Sequence, residues 1–246
     1  MFTTQSNRTL AHWPGLFCLL TALSGTGCGV ASQGMNVEGA RLYQQGNYQA
    51  ALERFQQSIA NDPQNADGYY NVASTYHRLG KINHDQNLLA QSEIFYNQCL
   101  DHNPNHTDCY RGLAVLLAET NRPDASVRLL ERWVRENPTD ANAKIELARV
   151  MDELGNRQIA MQRLQEALVT DPNNTRALTA LAKLREDEGN PMQAMQIYQR
   201  SLDLNRFQPQ VAARLATLQS SLGQMPSTSA TPTSRVASEP IQWNRY

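Results

Sequence analysis

Four short segments read alike: Asn61-Asp62-Pro63-Gln64-Asn65, His102-Asn103-Pro104-Asn105-His106, Glu136-Asn137-Pro138-Thr139-Asp140 and Thr170-Asp171-Pro172-Asn173-Asn174. The prolines at 104, 138 and 172 are 34 residues apart, and Pro63 precedes Pro104 by 41, one period plus seven. A fixed period of this length is the mark of stacked supersecondary units, none of which buries its apolar face alone. Each proline also stops a helix, because it lacks a backbone donor and disfavours α geometry in the residue before it.

Working outward, each interval holds two apolar-periodic segments separated by a break. Between Ala141 and Pro172, Leu147, Ala148 and Met151 share one helical face. Gly155 then interrupts the chain, and Ala160, Leu164, Ala167 and Leu168 resume the pattern. Gly46, Gly80, Gly155 and Gly189 occupy the breaks and are expected to supply the left-handed residue that closes a first helix. Asn121 takes that role in the third unit. A coiled coil would keep a period of 3.5 without such punctuation, and a plain bundle would not repeat at 34.

This order resembles the tetratricopeptide family. Small residues stand where the first helix crosses its partner (Gly39, Ala73, Ala114, Ala148, Ala182) and early in the second helix (Ala51, Ser92, Ser126, Ala160, Ala194). Four positions later comes a bulky residue: Phe55, Tyr96, Leu130, Leu164 or Tyr198. A second small residue follows three further on at Ser58, Cys99, Ala167 and Ser201. Small residues let helix axes approach while the bulky one fills the groove between them. Trp133 breaks the pattern and predicts a looser third hairpin.

The resemblance implies an all-α, right-handed α-solenoid of five hairpins: 35–65, 66–106 with a seven-residue insertion near 81–87, 107–140, 141–174 and 175–206. Residues 207–222, with Val211, Leu215, Leu218 and Leu222 on one face, read as the capping helix an open solenoid needs. The low-complexity run from Pro226 to Ser234 predicts a disordered tail over 223–246.

The first residues have a different character. A start carrying Arg8, the apolar run Leu16–Leu23 and the small residues Ser24–Gly27 form the three parts of a secretory signal, 1–27. Cys28 resembles the lipidated cysteine of bacterial lipoproteins, although Gly25 stands where that family places a larger aliphatic residue. The resemblance implies acylation of Cys28, a tether over 28–34, and an outer-membrane lipoprotein facing the periplasm, since Gly29 is not an acidic retention residue. An ordinary signal peptide, leaving a soluble exported protein, is the alternative.

Net charge is -1, which leaves no basic excess for a phosphate backbone, so no nucleic-acid partner is expected. No phosphate-cradling glycine loop, nucleophile elbow or HExxH zinc helix occurs, and the reading is of a non-enzyme with no cofactor. The acids Asp152-Glu153 and Glu186-Asp187-Glu188 read as a solvated face. Cys99, His102, His106 and Cys109 have a spacing that zinc could use. Both cysteines fall at packing positions, however, and a Cys99–Cys109 disulfide or two buried thiols are preferred to a metal site.

In the tetratricopeptide family the first helices line a groove that binds an extended peptide or a partner's helix. The resemblance places Asn36, Tyr43, Asp67, Tyr70, Ser74, His77, Arg111, Val115, Asn142, Ile145, Arg149, Thr179 and Lys183 there. Arg111, Arg149 and Lys183 suggest a basic ladder, unless neighbouring acids pair with them. The chaperone-tail clamp known in one subclass is not matched, because of its positions only Asn71 fits. The function these features imply is a non-catalytic protein-binding scaffold of the bacterial cell envelope, anchored to the membrane by lipid. A glycan- or cell-wall-binding protein using Tyr43, Tyr70 and His77 is the alternative.

Overall fold

The structure is a computed structural model that describes the backbone of residues 27–223 and the side chains of 32–222. The signal segment 1–26, the Cys28 side chain and the tail 224–246 lie outside the described residues.

Every regular element among the described residues is an α-helix, and the fold is an all-α repeat solenoid. The chain divides into two compact units, with the boundary at Leu116/Leu117, inside a continuous helix. The first holds α1 (Gly27–Gln44), α2 (Tyr48–Asn61), α3 (Ala66–Asn83), α4 (Gln86–His102) and most of α5 (Thr107–Glu119). The second holds α6 (Pro123–Glu136), α7 (Ala141–Glu153), α8 (Arg157–Thr170), α9 (Thr175–Asp187), α10 (Pro191–Leu204) and α11 (Pro209–Gly223). No helix of the described residues is long and apolar enough to cross a membrane.

The proline turns behave as their chemistry requires. Each proline is exposed, and the residue two before it closes the preceding helix. The next helix is then capped by a side chain: Asn65 accepts from Asp67 N, Asp140 from Asn142 N, and Asn174 from Ala177 N. Gly46, Gly155 and Gly189 are left-handed at φ 80°, 80° and 79°, and Asn121 matches them at 60°.

Gly80 does not close its helix. The insertion carries α3 past it to Asn83, and His84 becomes the left-handed residue at φ 52°. Inside the helix, Gly80 serves instead as a point of close approach. A Cβ there would come within 2.7 Å of the Leu89 side chain. The extra residues are thus absorbed as helix, since α3 has 18 residues where α7 and α9 have 13.

Residues 28–34 also differ from the expected tether, for α1 begins at Gly27 and takes them into the first helix. Tertiary contact supplies the reason. Ser32 is buried and its hydroxyl lies 2.9 Å from that of Ser58, one of the small residues of α2. The Ser58 hydroxyl also donates to the Ser32 carbonyl. Trp133 has no exposed surface, so burial gives no sign of the looseness expected around it.

The cores differ in composition. In the first unit Ala51, Leu52, Phe55 and Val72 are buried among Leu42, Tyr43, Ile59, Tyr76 and Phe95. In the second, alanine and leucine dominate: Ala148, Ala160, Leu164, Ala167, Ala177 and Leu178 are buried. The last hairpin of the second unit is covered by Val211, Leu215 and Leu218 of α11 packed on Ala182, Ala194 and Tyr198. Each fully buried leucine contributes about 1.5–3 kcal/mol of transfer free energy.

Candidate functional site

The second unit contains a groove of about 840 Å³. Its walls are α7, α9 and the start of α11, the successive first helices, with Leu164 of α8 and Tyr198 of α10 beneath. Ile145, Ala148, Ala180, Leu184 and Val211 add further apolar surface. Of the residues predicted to line a groove, Ile145, Arg149, Thr179 and Lys183 do so here. Asn142 sits beside it, accepting a hydrogen bond from Arg176 Nη1 at 3.0 Å.

The expected basic ladder is replaced by a balanced set of charges. Glu146 has a side chain only 1% exposed and is held by Arg149 Nε at 3.2 Å and Arg176 Nη2 at 2.5 Å. Arg149 also reaches Glu153 at 2.5 Å. Lys183 lies 3.8 Å from Asp152 and 3.6 Å from Asp187. Arg214 donates to Glu186 through Nε at 2.9 Å. Acids on the same and neighbouring helices therefore pair with every cation of the groove wall. A ligand would gain no excess positive field; apolar surface and hydrogen bonding would have to carry recognition.

Glu186 corrects the reading of a solvated acidic face. Its side chain is 10% exposed, and besides Arg214 it accepts from the Tyr198 hydroxyl at 3.3 Å. Burial, with the Glu186 carboxylate adding to it, pushes the Tyr198 phenol up to about 12. Gln208 forms a second polar knot. Its Nε2 donates to the Ser201 carbonyl at 2.9 Å, and its Oε1 lies 3.4 Å from the Thr179 hydroxyl. Arg176, Tyr198, Gln208 and Arg214 were missed as groove residues; Arg176 stands one period after Asn142, which is the signal that could have found it.

In the first unit the predicted positions form an aromatic group. Tyr70 stacks on His106 with centroids 5.5 Å apart and lies 6.3 Å from Tyr96. His77 is buried with its edge toward Tyr96. Tyr43 packs edge-on against Tyr48 at 5.0 Å. Each of these rings is in contact with another aromatic ring. Burial, then the Asp108 carboxylate, raises the Tyr70 phenol. Asn36 accepts from Asn71 Nδ2 at 3.4 Å, and Ser74 and Val115 are half-buried. Arg111 pairs with Asp108 at 2.6 Å on its own helix.

Cys99 and Cys109 form a disulfide, with Cα atoms 6.5 Å apart and no exposed surface. His102 is not drawn toward them and stacks on Tyr69 at 4.5 Å. His106 is close to both.

A TPR-repeat family model matches residues 39–80, and a tetratricopeptide-repeat model matches 86–144 and 127–184. Together these matches span more than half of the chain. Among solved structures, the thermophilic TPR protein TTC0263 of Thermus thermophilus is 24% identical, with a TM-score of 0.59 over 77% of this chain and 99% of its own. PilW, a widely conserved type IV pilus biogenesis factor, is 17% identical with a TM-score of 0.53, covering 77% of this chain and 86% of its own. Pseudomonas aeruginosa pilF is 16% identical, with a TM-score of 0.53 over 80% and 88%. No curated protein matches the chain. At these identities the solved structures speak for the fold alone. With these family models covering more than half of its length and its helical hairpins recurring along the chain, the chain belongs to the tetratricopeptide-repeat family.

Proposed function

We propose that this protein is a non-catalytic scaffold that binds a polypeptide in the groove of its second unit. One observation carries the proposal: a groove of about 840 Å³ whose apolar walls are bordered by charges already paired within the protein. Such a surface suits a segment with alternating apolar and polar side chains, which can bury the former and exchange hydrogen bonds with the latter. One of the fold relatives, PilW, is described as a type IV pilus biogenesis factor, and the signal-like start with Cys28 is consistent with work in a bacterial envelope. On this reading a lipid on Cys28 holds the protein at the outer membrane, facing the periplasm.

A photo-crosslinking residue at Lys183, whose side chain is 64% exposed, tests the groove directly. In intact cells it should trap a discrete polypeptide, and Ala180→Trp, which fills the groove, should abolish the adduct while leaving the thermal melt in place. Adducts unaffected by Ala180→Trp overturn the groove reading. In the same cells, Cys28→Ser should move the protein from the membrane fraction to the soluble one; unchanged fractionation removes the anchor.

A further inference from the structure

The surroundings of the disulfide hold more than a staple requires. At the residue before α5 the other repeats place Asn65, Asp140 and Asn174, good helix caps; here the residue is His106. Its Nδ1 accepts from Cys109 N at 3.2 Å, so the imidazole does the capping. Its Nε2 lies 2.9 Å from Asp67 Oδ1 and is the nitrogen that carries the proton. The ring is thereby fixed with its lone pair turned toward the cysteine side. The ligand atoms of Cys99, His106 and Cys109 all lie within 4.8 Å of one another.

We infer that in the dithiol state Cys99, Cys109 and His106 form a binding site for a zinc-like divalent cation, with Asp67 orienting the histidine. Two thiolates and one imidazole are three of the four ligands of a tetrahedral zinc site, which needs sulfur at about 2.3 Å and nitrogen at about 2.0 Å. A carboxylate on the far nitrogen of the ring is the partner that metal-bound histidines commonly have, fixing tautomer and orientation. Release of Nδ1 to a metal does not orphan the Cys109 N–H, which also donates to the His106 carbonyl at 3.1 Å.

The dithiol and the disulfide exclude each other. Reduction transfers two electrons from a dithiol reductant to the bridge; the S–S bond breaks, the reductant leaves as its own disulfide, and the two sulfurs take up two protons. Zinc then displaces those two protons and binds both thiolates. Because both sulfurs are buried, the site belongs to the chain before oxidation, or to one opened locally to a reductant. His106 also stacks on Tyr70, so its shift onto a metal would alter the aromatic group of the first unit.

The test uses the full chain kept reduced with a phosphine, titrated with Zn²⁺ against a competing chelator and with Co²⁺ for its thiolate charge-transfer bands. Because the chain also carries Cys18 and Cys28, the Cys99→Ser/Cys109→Ser variant is the blank. Reduced wild type should bind one more equivalent of zinc than the blank, and oxidised wild type no more than the blank. His106→Asn, which restores the cap used by other repeats, should weaken binding by roughly tenfold or more, and Asp67→Asn by about 10–100-fold. Equal stoichiometry in reduced wild type and blank overturns the inference, as does wild-type affinity in His106→Asn. If circular dichroism shows the reduced chain unfolded without metal, zinc must restore its helicity, and failure to do so counts equally against the site.

Discussion

The two units solve one packing problem with different chemistry. In the first, the bulky residue of the second helix is aromatic, and the facing helix makes room by giving up its side chain. A Cβ on Gly39 would lie 2.6 Å from the Phe55 ring, and one on Gly112 would lie 2.5 Å from Tyr96. Around them Tyr76 stacks on Phe95, the Tyr69 ring is tilted against Phe95 and Tyr70 is tilted against Tyr96, and the same unit holds the disulfide. In the second unit the bulky positions hold Leu130, Leu164 and Tyr198, all buried, and successive repeats are tied by charge: Arg176 to Glu146 and Arg214 to Glu186. A period of 34 residues therefore specifies where helices cross, while leaving open what ties one repeat to the next. The ionic unit keeps an open groove between its ties.

The contrast breaks most sharply at the notch under Tyr96. Gly112→Ala should destabilise the protein by about 1–3 kcal/mol through overpacking, since the buried ring has nowhere to move. Tyr96→Leu in the same chain should recover part of that loss, converting this crossing to the leucine–alanine type of the second unit. Thermal or urea melts of the two single variants and the double give the coupling, and additive effects would remove the notch explanation.

Tyr198 sharpens the other side. Its phenol is ordinarily near 10 and is raised to about 12 in the fold. The folded state thus favours the protonated form. That contribution to stability is complete below pH 10 and is lost as pH rises through 12, on the order of 2 kcal/mol. Tyr198→Phe should flatten the decline in stability between pH 10 and 12, measured by urea titration at each pH. An unchanged slope would place alkaline lability elsewhere. The smallest effect is expected for Lys183→Ala, within about 0.5 kcal/mol, because its ion pairs are long and exposed. A larger loss in the melt would make these charges structural ties rather than a groove rim.

Much of the fold was legible because its signals are local. Pro63, Pro104, Pro138 and Pro172, the left-handed Gly46, Gly155, Gly189 and Asn121, and the caps Asn65, Asp140 and Asn174 act within four residues of their own position. Gly80 misled because the helix runs on past it through Lys81, Ile82 and Asn83, and the left-handed residue is His84. Residues 28–34 misled because the partner that holds them, Ser58, is 26 residues from Ser32. The groove was half legible: Ile145, Arg149, Thr179 and Lys183 follow from the repeat, and Arg176 could have, whereas Tyr198 and Arg214 enter through neighbours in space.

What the sequence by itself determined is the period, the count and order of the hairpins and the chemistry of each turn, because a helix start or stop depends on dihedral preferences and hydrogen bonds within one or two turns. Only the tertiary structure decided the pairings. Glu146 could have met Arg149 alone, but stacking brought it Arg176 from 30 residues away. His102 could have joined His106 at the cysteines, but it stacks on Tyr69, while Asp67, 39 residues before His106, holds the His106 ring beside them. Charged and aromatic side chains have many chemically equivalent partners along a repeat, and the approach of one helix to the next selects among them.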